Sequence, residues 1–248
     1  MLLHIPHSQK HIPEEYLQYF HLSDSDLDAE LLKMTDHFTD ELFECSQSNC
    51  IEIIFPVSRL LVDPERFIMD ADEPMSARGM GCIYEKTHDQ NPLKDCCAIR
   101  QVLIDRYYET HHARFAALVD KELEKTDRAL IIDCHSFPKY PLPYEMDQTT
   151  DRAEICIGTD GFHTPHNLAE KVAEGFDKAG FSIALNKPFA GAIVPIEHYR
   201  KNKAVTSIMI EIRRDLYMDE VTGRKIENFA VVKNAISEVL QELVEQDG

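Results

Sequence analysis

Three side chains able to bind a metal or carry a proton stand at or near the ends of short apolar runs. They are His7 in Pro6-His7-Ser8, His135 in Asp133-Cys134-His135-Ser136, and Glu211 directly after Ser207-Ile208-Met209-Ile210. Two imidazoles and a carboxylate suit a catalytic zinc site, which uses about three protein ligands and leaves one position for water. Plainer roles are open to the same residues. A histidine after a strand is commonly a hydrogen-bonded structural group. Glu211 sits in an apolar run, where an unpaired carboxylate is costly, so an ion pair with Arg213, Arg214 or Arg59 would also account for it.

The elements that must carry these groups read as an α/β chain. Strand-like runs cover 2–5, 51–55, 129–133, 154–157, 182–185 and 206–212, and helical patterns lie between them. Ile99, Val102, Leu103, Tyr107, Phe115, Leu118 and Val119 predict one long helix. Leu168, Val172 and Phe176 predict another, with Thr164 as its cap, Pro165 in its first turn and Gly180 past its end. Phe229, Val232, Ile236, Val239, Leu240 and Leu243 predict a closing helix. In open α/β sheets, sites form outside the carboxyl ends of strands, where His7, His135 and Glu211 would converge. The irregular segments 57–91 and 137–151 are long enough to line or cover such a site. His111 and His112 fall in the long helix and read as core or edge histidines. His163 and His166 flank a helix start and read as solvated.

The whole chain bounds these readings. Its 248 residues, 44% hydrophobic and 28% charged, suffice for one large α/β domain spanning 1–248 without help from a metal or disulfide. A formal net charge of −18 argues against a nucleic-acid partner, which needs a concentrated basic surface. Seven cysteines with no Cys-x-x-Cys pair exclude a zinc knuckle and predict reduced thiols in a cytoplasmic protein. The first residues lack a basic region followed by an apolar one, and no apolar run approaches a membrane span. Nothing in the sequence reads out an oligomeric state.

Ordered segments along most of the chain resemble the N-formylglutamate amidohydrolase family. They are Ile5-Pro6-His7-Ser8, Thr35-Asp36, Ser58-Arg59, Asp63-Pro64-Glu65-Arg66, Gly79-Met80-Gly81 and Asp133-Cys134-His135-Ser136. Gly158-Thr159-Asp160-Gly161, Phe189-Ala190-Gly191, His198-Tyr199, Glu211 and Tyr217-Met218-Asp219 follow in the same order. That family is similar in fold to the zinc carboxypeptidases, which implies a three-layer α/β/α sandwich with a mixed central sheet. Lys10 stands where the carboxypeptidase pattern has a glutamate ligand, so the third ligand must come from elsewhere. Asp36 is the family-matching residue, with His37, Asp40 and Glu197 as alternatives; Asp36 could instead lie in the first turn of a helix capped by Thr35.

The resemblance implies one zinc per chain on His7, Asp36 and His135, with Glu211 moving the proton of the attacking water. It implies a deformylase that converts N-formylglutamate, or a similar small N-acyl acidic amino acid, to formate and the free amino acid, as in histidine degradation. Arg59 and Arg66 are expected to meet substrate carboxylates through planar forks, and Arg59 or His198 to face the oxyanion. Arg213 and Arg214 carry no assigned role, although strand alternation places Arg213 on the face of Glu211. The rival readings are a zinc carboxypeptidase, a deacylase with a larger acyl pocket, and a non-catalytic small-molecule binder on the same fold.

Overall fold

All six apolar runs form strands in the computed structural model, which describes residues 1–45 and 50–247. They are β1 (Leu2–Ile5), β2 (Ile51–Ile54), β3 (Ala129–Phe137), β4 (Ile155–Gly158), β5 (Ile183–Leu185) and β6 (Val205–Arg213). The sheet order is β2-β1-β3-β6-β4-β5. Neighbouring strands are parallel except β4 and β6, which makes the sheet mixed. Strand β3 runs four residues past its expected end, because its ladder with β6 continues to Phe137↔Arg213. His135 therefore sits within a strand and is fixed by the ladder on its neighbours.

Alternation sorts the strand residues onto two faces. Leu3, Ile5, Ile132, Cys134, Ile208, Ile210 and Ile212 form one face, packed against the helices α6 (His166–Lys178) and α7 (Phe229–Asp247). Leu2, Ile131 and Val205 form the other and pack on α5 (Thr110–Thr126) through Phe115 and Val119, both fully buried. Burying a Phe or Val side chain contributes roughly 1.5–3 kcal/mol, so these two contacts anchor α5 firmly. His4, Asp133, His135 and Glu211 lie on the α5 face. That face turns polar where the first turn of α5 crosses it.

The long helix expected over 99–119 is not uniform. It begins as α4 (Arg100–Leu103), widens into a π-helical turn at Ile104–Glu109, and continues as α5. Three helices near the start were not anticipated: α1 (Glu14–Leu17), α2 (Asp24–Met34) and α3 (Thr39–Leu42). Ser23 caps α2 by accepting from the Asp26 amide. Thr35 closes α2 at its carboxyl end, and Asp36 follows in the turn before α3, outside any helix. A small ribbon of β7 (Met218–Asp219) and β8 (Arg224–Lys225) stands apart from the sheet.

Two expectations are corrected. Cys45 and Cys50 form a disulfide across a Cα–Cα distance of 6.1 Å, within the usual span for such a bond, so not all thiols are reduced. His163 is fully buried rather than solvated. Its Nδ1 lies 2.8 Å from the Val205 carbonyl, and Nε2 accepts from the Arg200 amide at 2.8 Å. Beside it, Thr164 donates to the Ser207 carbonyl, and Pro165 takes the cap position of α6. Among the described residues, no helix is long and apolar enough to cross a membrane.

Candidate functional site

His7 and His135 come together from different strands, their ring centroids 5.1 Å apart. His7 follows β1, where Pro6 ends the ladder and turns the chain. His135 is placed by β3, directly opposite Glu211 in the register with β6. The long segment after β2 folds over them and supplies Arg59, Asp63, Glu65 and Arg66. A short 3₁₀ turn at Pro74–Arg78 and bridges at Met80↔Tyr84 and Lys86↔Pro92 give that segment its shape. Lys94 holds it from below: its buried ammonium donates to the carbonyls of Leu60 and Tyr84. Burial lowers the Lys94 pKa to about 7.

Each histidine is braced by carboxylates. His7 Nε2 lies 2.9 Å from Asp63 Oδ1, and its Nδ1 is 3.6 Å from Asp36 Oδ2. His135 Nδ1 is 3.1 Å from Asp36 Oδ2, and Nε2 is 3.1 Å from both Asp133 Oδ1 and Glu65 Oε2. Burial works against charge on His135, yet Glu65, Asp133 and Asp36 together raise its pKa well above the usual value. Burial likewise opposes the charged form of Asp36, but the hydrogen bond with His135, the nearby His7 ring and the charge of Arg214 hold its carboxyl well below the usual range.

The arginines divide by what already occupies them. Arg214 donates to Asp36 Oδ1 at 2.9 Å, to the Ser136 and Lys33 carbonyls, and to Ser136 Oγ. Arg59 donates to Asp63 Oδ2 at 2.9 Å and to the Tyr84 hydroxyl at 3.2 Å, with Asp36 3.8 Å away. Arg66 is freer. Its nearest acid, Asp63, stands 3.8 Å away, its Nε has no hydrogen-bond partner, and a quarter of its side chain is exposed. Arg213 does not serve the cluster; it turns to Asp215 and the Arg152 carbonyl.

A divalent cation fits this donor set. Asp36, Asp63, Glu65, Asp133 and Glu211 are five carboxylates set around Arg59, Arg66 and Arg214. Without a cation the excess is met by protons, since the pKa values of His135 and Glu211 are both raised, and a bound cation would take the place of those protons. Buried charge of this kind must be paired. Asp36 and Asp63 have arginine partners, whereas the only charge-bearing partners of Glu65 and Asp133 are imidazoles, with the Ile193 amide donating to Asp133 Oδ2 at 3.3 Å. His7 Nδ1 and Glu65 Oε1 are buried without a partner. Ligand atoms of His7, Glu65 and His135 all lie within 4.8 Å of one another, as do those of His4, Glu65 and Asp133.

Glu211 differs from the other acids. Its Oε2 is buried without a hydrogen-bond partner, and no ion pair to Arg213, Arg214 or Arg59 forms. Burial, with Asp36 and Glu65 nearby and partly offset by His135 and Arg214, raises its pKa to about 8. A buried carboxylate opposite the His135 imidazole, with one oxygen unpartnered, can take and return a proton.

The structure thus gathers His7, Asp36, His135, Glu211, Arg59 and Arg66. It does not bring in His198, whose Nε2 is bound to Asp120 of α5 at 2.8 Å. Of the alternative ligands, His37 points to the Leu32 carbonyl, Asp40 accepts from Gln9, and Glu197 is exposed. Sequence reasoning assigned no role in the site to Asp63, Glu65, Asp133, Arg214 or His4, all of which the structure places in the cluster. The alternation Asp133–His135 along one strand face was the available signal for Asp133.

The pattern of N-formylglutamate amidohydrolases matches residues 1–218 of the chain. No curated protein matches it. A crystal structure of N-formylglutamate amidohydrolase from Ralstonia eutropha superposes with a TM-score of 0.86 at 23% identity, over 99% of this chain and 92% of that one. A gene product of Agrobacterium tumefaciens superposes with a TM-score of 0.62 at 19% identity, over 100% of this chain and 91% of that one. At these identities the superpositions establish the fold.

Proposed function

This chain belongs to the N-formylglutamate amidohydrolase family, and on that premise we propose that it is a zinc-dependent deformylase of N-formylglutamate or a closely similar N-acyl acidic amino acid. The observation that carries the reading is Glu211, a buried acid with an unpartnered oxygen, set opposite His135 in a cluster short of positive charge. His7 and His135 would hold the metal with one carboxylate. Asp36 suits that place, because its Oδ2 lies 3.1 Å from His135 Nδ1 and 3.6 Å from His7 Nδ1, while Arg214 holds its other oxygen. The second nitrogen of each ring, Nε2, is then left to donate to an orienting carboxylate, Asp63 for His7 and Asp133 for His135.

When bound, zinc would polarise the scissile carbonyl and make water a stronger nucleophile. Glu211 accepts the proton of the attacking water and returns it to the amine nitrogen as the C–N bond breaks, leaving formate and the amino acid. Arg66 meets a substrate carboxylate with its unoccupied guanidinium edge. Arg59 lends positive charge beside the reacting carbonyl while it braces Asp63. The cytoplasm, and a place in histidine breakdown, are the setting this chemistry suits.

Formate release from N-formylglutamate by the purified, zinc-supplied protein tests the reading. It stands if formate appears with the parent and not with Glu211→Gln. It falls if zinc binds and none of N-formylglutamate, N-acetylglutamate or C-terminal dipeptides is cleaved, which would favour the binding-protein alternative.

A further inference from the structure

The first turn of α5 delivers two adjacent histidines to the back of the site, and neither belongs to the chemistry described above. His111 Nε2 lies 3.0 Å from His4 Nε2. His4 Nδ1 in turn lies 3.0 Å from Asp133 Oδ1, the same oxygen that stands 3.1 Å from His135 Nε2. A buried file therefore runs from α5 through β1 to β3: His111, His4, Asp133, His135. Every member is at most 5% exposed.

We infer that His4, backed by His111, is a positioning residue that fixes Asp133 and through it the ring of His135. The inference rests on the reading of His135 as a metal ligand. Asp133 has no arginine partner, unlike Asp36 and Asp63; the Ile193 amide donates to its Oδ2 at 3.3 Å, and His4 locates its Oδ1 from the side away from His135. The partnership is built into the sheet, since His4 and Asp133 are register partners between β1 and β3. His4 Nδ1 also faces two carboxylates, Asp133 and, at 3.5 Å, Glu65. It donates to Asp133 whether the ring is neutral or charged, so the role does not depend on protonation.

The histidine pair is itself clamped. The His4 ring stacks on Phe115 with centroids 4.9 Å apart, and Phe55 meets the His111 ring edge-on at 5.0 Å. The π-helical turn at Ile104–Glu109 immediately precedes this point. Such turns widen a helix by one residue and shift every side chain after them. Here Tyr108 donates to the Arg66 carbonyl, and His112 Nε2 sits 2.7 Å from the Pro64 carbonyl, while His111 reaches His4. One helical turn thus supports the Asp63–Arg66 loop and the strand-borne histidine together.

The test compares zinc affinity, measured by competition with a chromophoric chelator, and the visible spectrum of the cobalt-loaded protein. Partners that orient metal ligands typically contribute about 10–100-fold in affinity. His4→Leu keeps the volume and loses the donor; it is expected to weaken zinc by about that factor and to shift the cobalt bands. His4→Asn places an amide nitrogen near the Nδ1 position and is expected to recover most of the loss. His111→Leu, further from the metal, is expected to weaken zinc several-fold and decides the matter should His4→Leu not fold. Equal affinity and spectrum in folded His4→Leu and parent overturn the inference, as does an equal loss in His4→Leu and His4→Asn. A parent that binds no zinc sinks the proposed function instead, which the parent measurement alone reveals.

Discussion

Glu211 and His135 face each other directly across the parallel β3–β6 ladder, on the same face of the sheet. Partners in such a ladder lie about 5 Å apart, so neither can move away from the other without breaking the sheet. The ladder makes the spacing of a candidate base and a candidate ligand a property of the backbone. Loop motion elsewhere leaves it unchanged.

From this pairing, Glu211→Gln is expected to retain zinc and to lose turnover by roughly two orders of magnitude or more, as for a positioned general base. Metal content and formate release on the same sample check it. Loss of zinc in this variant would make Glu211 a ligand, and near-normal turnover would make it a bystander.

Metal-free protein should show the burial of Glu211 in its pH dependence. The folded pKa is raised from 4.5 to about 8. Between those values the folded chain holds a proton that the unfolded chain has released, so stability falls as pH rises through the window. His135, raised above its ordinary value, adds a loss in the same direction. Glu211→Gln removes the first contribution only. In chelator, its melting temperature is expected to gain on the parent between pH 5 and pH 8, by about 2–4 °C or more. A constant difference between the two across that range would remove the case for a protonated Glu211.

The third ligand is decided by two substitutions. With about one zinc per chain in the parent, His7→Ala and His135→Ala are expected to abolish tight binding. Asp36→Asn is expected to do likewise. Glu65→Gln removes a carboxylate beside His135 Nε2 and should weaken zinc by about 10–100-fold while still binding it. The reverse ranking, read by chelator competition, would move Glu65 to the ligand position.

The strands and the two histidine positions were legible in the sequence because apolar runs bounded by Pro6 or ending in a polar triplet leave few alternatives. Glu65 was not, since residues 57–91 have no periodicity and their fold depends on distant partners such as Lys94 and the α5 histidines. Arg213 was placed on the Glu211 face by alternation, which holds inside a strand. Arg214, in the 3₁₀ turn that follows, swings back to Asp36 instead. The π-helical turn is invisible to a 3.6-residue pattern, which reads through it. The Cys45–Cys50 pair was within reach from spacing but was outweighed by the odd count of seven cysteines and the expectation of a cytoplasmic protein.

Lys94→Met tests how the long segment is held. The substitution keeps an unbranched apolar stem but leaves the carbonyls of Leu60 and Tyr84 without their donor. Each stranded buried acceptor costs about 1–3 kcal/mol. Removing a buried ammonium repays part of that, because burial already disfavours its charge. A net loss of about 1–3 kcal/mol in urea unfolding is expected, with weaker zinc binding as Asp63 and Glu65 lose their support. Unchanged stability would mean that hydrophobic packing alone shapes the segment.

Substrate choice is the sharpest use of the division among the arginines. Arg214 and most of Arg59 are committed to protein partners, whereas Arg66 keeps an unpartnered Nε and partial exposure at the edge of the cluster. An anionic side chain entering the site would find its fork there. Arg66→Ala is therefore expected to raise KM for N-formylglutamate at least about tenfold, with zinc retained, since a charge-assisted bidentate contact is among the stronger polar contacts. The parent should prefer N-formylglutamate to N-formylglutamine, and Arg66→Ala should abolish that preference. Arg59→Lys breaks the bonds to Asp63 and Tyr84 and is expected to act on zinc affinity more than on the choice between the two substrates. Steady-state kinetics on both substrates, with metal content measured alongside, separates the roles. If Arg66→Ala leaves the preference intact and Arg59→Lys removes it, the carboxylate is read by Arg59.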